Sequence, residues 1–180
     1  VPLKDFARSL RDGILARERL RRANPGACVA GTVMFAGDAR RTRLAKDVSV
    51  LGPTALFVTD GGGLTGASLE VGERTYIGEF NNIRCAGASI RIGRDCLVSQ
   101  HITIVGSNHG TEPGTPIVDQ PWHGDGVVVG DDVWIGAGAV ILPGTRLGDG
   151  CVVAANSTVK GEIPPNSVVA GSPARVLRTR

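Results

Sequence analysis

From Val129 to Ile163 an aliphatic side chain returns at every sixth position: Val129, Ile135, Ile141, Leu147, Val153 and Val159. Gly follows directly at Gly130, Gly136 and Gly148. Four places after each aliphatic residue stands a small or β-branched one: Val133, Ala139, Thr145, Cys151, Ser157 and Ile163. This period fits neither the face of a 3.6-residue helix nor simple two-residue alternation. It predicts a short strand followed by a tight corner, repeated, with one aliphatic side chain per unit pointing at a common axis. Three units make one turn of a three-sided prism, so the expected fold is an all-β solenoid.

The same beat runs upstream through Val71, Ile77 and Ile83, then Ile92, Val98 and Ile104. Val48-x-Val50, Leu69-x-Val71 and Ile90-x-Ile92 recur at a spacing of 21, which reads as an 18-residue turn with three extra corner residues. Val29, 21 residues before Val50, marks the expected start of a first, irregular coil. Between Ile104 and Val129 the beat stops. The intervening segment carries Pro113, Pro116 and Pro121, two of the three His and one of the two Trp. A long loop in a regular solenoid is usually functional, so chemistry is expected in an extended loop at about residues 105–127. Ahead of the solenoid, residues 2–22 predict a helix. Its apolar face is Leu3, Phe6, Leu10, Ile14 and Leu20, with Pro2 at a first helical position and Asn24-Pro25-Gly26 ending it. The expected organisation is a helix and linker over residues 1–26, a β-helix over 27–164 and a capping segment over 165–180.

Composition sharpens this picture. Aromatic residues make up only 4% of the chain, as suits a narrow core of aliphatic side chains. No stretch approaches the ~20 apolar residues of a membrane span, and no secretory leader pattern is present. Cys28, Cys85, Cys96 and Cys151 lack metal-ligand spacing; two of them fall in the small-residue slot and read as reduced, buried thiols. A cytoplasmic location is expected. The net charge of +3 is uneven: residues 1–46 hold eleven Lys and Arg against four Asp and Glu. That basic arm is either a solvated helix face or a peripheral contact with an anionic acceptor, a phosphate or a membrane-surface glycolipid. Nothing in it has the interleaved aromatics of a nucleic-acid module.

The run VVVGDDVWIGAGAVILPGTRLGDGCVVAANSTVKGEIPPNSVVAGSPARVL resembles the C-terminal half of hexapeptide-repeat acetyltransferases, among them galactoside and maltose acetyltransferases and the sugar O-acetyltransferases of polysaccharide gene clusters. The resemblance covers about residues 69–178. It implies a left-handed parallel β-helix, a homotrimer with active sites at subunit interfaces, acetyl-CoA as co-substrate and no metal. The hand comes from the resemblance alone, since ordinary parallel crossovers favour the right-handed sense.

The resemblance also implies roles for individual residues. His109, in SNHG, matches the family's catalytic base; a neutral imidazole suits removal of a hydroxyl proton at working pH. Asn81, in EFNN, matches an acceptor contact, with Asn82 as its neighbour in register, and Trp134 corresponds to the family's Trp in VWIG. Ala137 and Ala155 match main-chain contacts to pantetheine, and Lys160, Arg175 and Arg178 match cations that meet phosphates. One departure stands out: relatives usually read Thr-Lys-Asp before Ile-Pro-Pro, where this chain has Lys160-Gly161-Glu162. His101 reads as a flank residue and His123 as a loop residue beside the acceptor. Their spacing from His109 disfavours a three-His zinc site. The expected function is transfer of acetyl from acetyl-CoA to a hydroxyl of a sugar or polysaccharide unit. The alternatives are acetylation of an antibiotic or amino-sugar nitrogen, and a non-catalytic β-helix binding protein.

Overall fold

A strand of two to four residues can bury only one or two side chains, so these segments are held by stacking rather than by their own length. The computed structural model describes the backbone from Leu3 to Arg180 and side chains from Arg11 onward. The first wall of the prism stacks Cys28–Val29, Ser49–Val50, Tyr76–Ile77, Leu97–Val98, Trp134–Ile135, Val152–Val153 and Ser167–Gly171. The second stacks Met34–Gly37, Ala55–Val58, Asn82–Arg84, Thr103–Val105, Val140–Ile141 and Thr158–Val159. The third stacks Thr42–Leu44, Ser68–Val71, Ser89–Ile92, Val127–Val129, Thr145–Leu147 and Glu162–Ile163. Neighbouring strands within each wall run parallel, in a register that piles like on like: Val98 on Ile135 on Val153 on Val169.

Every aliphatic residue of the strict six-residue run is buried, from Val129 to Val159, at 2% exposure or less. So are Val133, Ala139, Thr145, Cys151 and Ser157 in the small slot. Each inward Ile, Leu or Val contributes roughly 1.5–3 kcal/mol of burial against the entropy of ordering it. Cys85 sits among these side chains, and burial pushes its thiol up to about 12. Burial likewise raises Cys96 and Cys151. Cys28, outward on the first coil, is exposed.

Two expectations are corrected. Val50 and Val71 do not lie one turn apart: Val50 stacks on Ile77 in the first wall, while Val71 belongs to the third and stacks on Ile92. The second coil carries an insertion at residues 59–67, between its second and third walls, and this breaks the count. The spacing from Val29 to Val50 is a true turn. Ile163 takes an inward aliphatic position opposite Leu147 instead of a small slot, because the corner at Gly161 is shortened. The segment after residue 164 continues the solenoid: Ser167–Gly171 extends the first wall, and Ala174–Thr179 folds back antiparallel along its edge. That closing strand covers backbone groups that would otherwise invite pairing.

At the other end, one helix, α1 (Leu3–Ala23), lies over the first coil. Leu20 is its fully buried anchor, whereas Ile14 is half exposed; Leu3, Phe6 and Leu10 lie outside the described side chains. Asn24 ties the helix end down. Its amide donates to the Leu20 and Thr42 carbonyls at 2.9 and 3.1 Å, and its oxygen accepts from Leu44 N at 2.7 Å. Among the described residues, no helix is long and apolar enough to cross a membrane.

Candidate active site

The interrupted beat becomes a loop, residues 106–126, at the edge between the second and third walls. Gly126 N donates to Gly106 O at 3.0 Å and closes its base. Beyond that base a two-stranded ribbon forms, Asn108–His109 against Trp122–His123, with His109 directly opposite Trp122. The tip is held by Gln120. Its buried amide oxygen accepts from Glu112 N at 2.8 Å, and its nitrogen donates to the Glu112 and Thr115 carbonyls at 2.9 and 2.7 Å. Ile117 and Val118 are thereby presented outward, at 58% and 82% exposure.

His109 is exposed, and its ring meets Trp122 edge-on with centroids 5.0 Å apart. Trp122 in turn rests on the insertion of the second coil, and its main-chain N–H donates to Gly62 O at 3.0 Å. The insertion is pinned by Asp60, which accepts from Arg41 Nη1 at 2.8 Å and Ala67 N at 3.1 Å. The Arg41 guanidinium and the Ala67 amide hold the Asp60 carboxyl below its ordinary value. A carboxylate depressed in the folded state stabilises it above the unfolded pKa and loses that contribution as acid approaches the lower folded value. This tie is therefore complete at neutral pH.

The remaining sequence-matched residues are dispersed around the prism. Trp134 lies on the outer face of the first wall, 51% exposed, with its indole N–H on Ser99 Oγ at 3.2 Å. It joins Leu97, Val152, Val168, Arg178 and Arg180 around a groove of about 360 Å³. That wall is opposite the edge bearing His109, so within one chain Trp134 and His109 face different directions. Ala137 and Ala155 stack on the edge between the first and second walls, where Ala137 O accepts from Asn156 N at 2.9 Å. Lys160 is exposed at the second–third edge of the last coil, and Arg175 is exposed on the closing strand opposite Ala170.

Asn81 has a different job from the one expected. It is 2% exposed. Its amide donates to the Gly78 and Ser99 carbonyls at 2.9 and 2.8 Å, and its oxygen accepts from Ile102 N at 2.7 Å. With both donors and the oxygen engaged inside the corner, it has little left to offer an acceptor. Asn82 is half-buried on the second wall, accepting from Arg84 Nε at 3.0 Å. Asn81→Ala is expected to leave Ile102 N buried and unpaired, at a cost of about 1–3 kcal/mol. Denaturant unfolding should show the loss, while turnover per folded molecule stays unchanged.

His101 sits on the first–second edge, stacked on Phe80 with centroids 5.0 Å apart. It is thus on a different edge from His109 and His123. Sequence reasoning missed Trp122 as the support of His109, Gln120 as the clamp of the tip, and the role of Gly61 and Gly62. The one available signal was the run Asp60-Gly61-Gly62-Gly63, a breaker cluster between strand-like segments.

Residues 126–161 match the model of the bacterial transferase hexapeptide (six repeats). That segment is similar to the hexapeptide repeats of bacterial transferases. The chain's parallel-stranded β-helix is the fold of the solved hexapeptide-repeat acetyltransferases it resembles. It is 40% identical over 98 residues to a protein of Escherichia coli (strain K12) named as a lipopolysaccharide biosynthesis O-acetyl transferase, WbbJ; this covers 50% of each chain. The chain thus spans about half the length of the curated relative it matches. A solved hexapeptide-repeat acetyltransferase of Vibrio cholerae O1 biovar eltor, complexed with acetyl coenzyme A, aligns with TM-score 0.62 at 26% identity, over 89% of this chain and 73% of that one. The polySia-specific acetyltransferase NeuO aligns with TM-score 0.63 at 22% identity, over 86% and 66% respectively, a likeness of fold.

Proposed function

We propose that this protein is an acetyl-CoA-dependent O-acetyltransferase acting on a hydroxyl of a sugar or polysaccharide unit, with His109 as general base. The observation that carries this reading is the placement of His109. It is an exposed imidazole on a braced ribbon, at the one large interruption of a hexapeptide prism. The relatives' names, O-acetyl transferase and acetyltransferase complexed with acetyl coenzyme A, point the same way.

In the proposed reaction the imidazole takes the acceptor hydroxyl proton as that oxygen attacks the thioester carbonyl. The tetrahedral adduct then collapses, the carbon–sulfur bond breaks, and the imidazolium returns the proton to the departing CoA sulfur. No covalent acetyl-enzyme is required, because no nucleophile is set beside His109 in this ribbon. Lys160, Arg175 and Arg178, all exposed on the last coil and closing strand, supply positive charge suited to the phosphates of CoA.

The working unit in this reading is a homotrimer with sites at subunit interfaces. Within one chain the second wall separates the edge of His109 from the edge of Ala137 and Ala155. A neighbouring copy that lays its first–second edge beside the loop completes the site. The outward Ile117 and Val118, and the apolar stripe of Tyr76, Leu97, Trp134 and Val152 on the first wall, are surfaces suited to such burial. A cytoplasmic location fits the reduced thiols.

The test is release of free CoA thiol from acetyl-CoA in the presence of a panel of sugar hydroxyl and amino-sugar acceptors. Turnover with hydroxyl acceptors is the expected result. Turnover confined to amines moves the reading to nitrogen transfer, and absence of CoA binding by calorimetry leaves a binding protein.

A further inference from the structure

We infer that the glycine insertion of the second coil is a positioning element for His109, acting through Trp122; this rests on the reading of His109 as the base. An exposed imidazole on a surface ribbon has rotamer freedom, and general-base catalysis needs it aimed at one proton. Among the described residues, the one aromatic ring against it is Trp122, at 5.0 Å and 64° between planes. What fixes Trp122 is the floor beneath it. A Cβ built on Gly62 would stand 2.0 Å from Trp122 Cγ, and one on Gly61 would stand 2.7 Å from Trp122 Cζ3. The indole therefore lies flush on bare main chain, in a seat that any larger residue would fill.

The seat is itself anchored. Gly61 and Leu64 exchange main-chain hydrogen bonds at 3.1 and 2.9 Å, closing the insertion on itself. Arg41, from the first coil, reaches Asp60 at 2.8 Å and the Thr65 carbonyl at 3.0 Å, tying both ends of the insertion to the rigid prism. Leu64 supports the returning strand, since a Cβ on Gly124 would come within 2.7 Å of its Cδ1. Rigidity thus passes from the stacked walls through Arg41 and Asp60 to the glycine floor, then to Trp122, and through its ring to His109. Trp122 and the insertion are positioning residues; they touch the imidazole or its support, not the reacting atoms.

The insertion offers its own controls. Gly61 has no positive φ, so Gly61→Ala adds a methyl group without left-handed backbone strain, and the three atoms nearest that methyl all belong to the indole. Gly63 has φ of 86°, which Asn tolerates, and a Cβ there meets nothing within 4 Å, so Gly63→Asn alters the same loop away from the indole seat. Turnover of acetyl-CoA with the best acceptor should fall about 10–100-fold in Gly61→Ala and in Trp122→Leu, chiefly in kcat. Gly63→Asn and the conservative Trp122→Phe should stay within about 3-fold of wild type. In a His109→Ala background, Gly61→Ala should have no further effect, because residues acting as one unit are not additive. The His109 imidazole resonance, which feels the ring current of Trp122, should shift in Gly61→Ala and not in Gly63→Asn.

Wild-type kcat in both Gly61→Ala and Trp122→Leu overturns the proposal, as does an equal loss from Gly61→Ala with and without His109. Should Gly61→Ala not fold, the contrast between Trp122→Leu and Trp122→Phe decides alone. Full activity of His109→Ala would remove the base reading, whereas the resonance shift reports the mechanical link independently of catalysis.

Discussion

Ile135→Asp abolishes the cooperative fold. Ile135 is 0% exposed and stacks between Val98 and Val153 in the first wall. A carboxylate there has aliphatic side chains on every inward side and no partner to receive it. Burying an unpaired charge of this kind costs well above the ~4–5 kcal/mol at which single substitutions become exceptional, against a total stability of about 5–15 kcal/mol for an ordinary domain. Protonation of the carboxyl would reduce the penalty without removing it, since the neutral acid still needs hydrogen-bond partners. The damage should spread, because each coil is stabilised mainly by its neighbours. Circular dichroism should show loss of the strand signal and of a cooperative melt. The contrasting substitution is Trp134→Asp, one residue earlier and outward: it should leave the monomer fold intact. A soluble Ile135→Asp protein with wild-type melting would refute the register of the whole prism.

His109→Ala should remove turnover and nothing else. The ring is exposed, stands on a ribbon outside the core and, among the described residues, makes no side-chain hydrogen bond to the prism walls. Its loss should therefore leave the melting curve and CoA affinity unchanged while kcat falls by about 10²–10⁴-fold, the usual contribution of a positioned acid–base group. Equal loss of CoA binding and turnover would instead make His109 a binding residue, and near-wild-type activity would exclude it from the mechanism.

Together these experiments separate the two levels at which the protein is built. The inward aliphatic residues fix the prism, and their periodicity is local: each follows the last by six positions, so a one-dimensional reading finds it. From Val129 to Val159 the reading and the structure coincide residue by residue. It failed where the chain departs from the period. The insertion at residues 59–67 placed Val50 and Val71 on different walls, and the shortened corner at Gly161 moved Ile163 into an inward position. A count of spacings cannot detect an extra loop when the spacing on either side happens to resemble a turn.

The site was legible only in part for the same reason. The loop that bears His109 was visible in sequence, because a long Pro-rich interruption stands out there and the motif around it is distinctive. A motif records residue type and not what a side chain meets: in the folded corner Gly78, Ser99 and Ile102 claim the Asn81 amide. Trp134 is outward as expected, yet that it faces away from His109 within one chain follows only from the closure of three walls.

Sequence alone determined the repeated strand-and-corner unit, the inward core and the place where the repeat opens, since these depend on neighbours within a few residues. Only the tertiary structure decided that the glycine floor of the second coil lies beneath Trp122 of the fourth. That contact joins segments about sixty residues apart in the chain, brought together because coils stack along one axis and their loops project from the same edge.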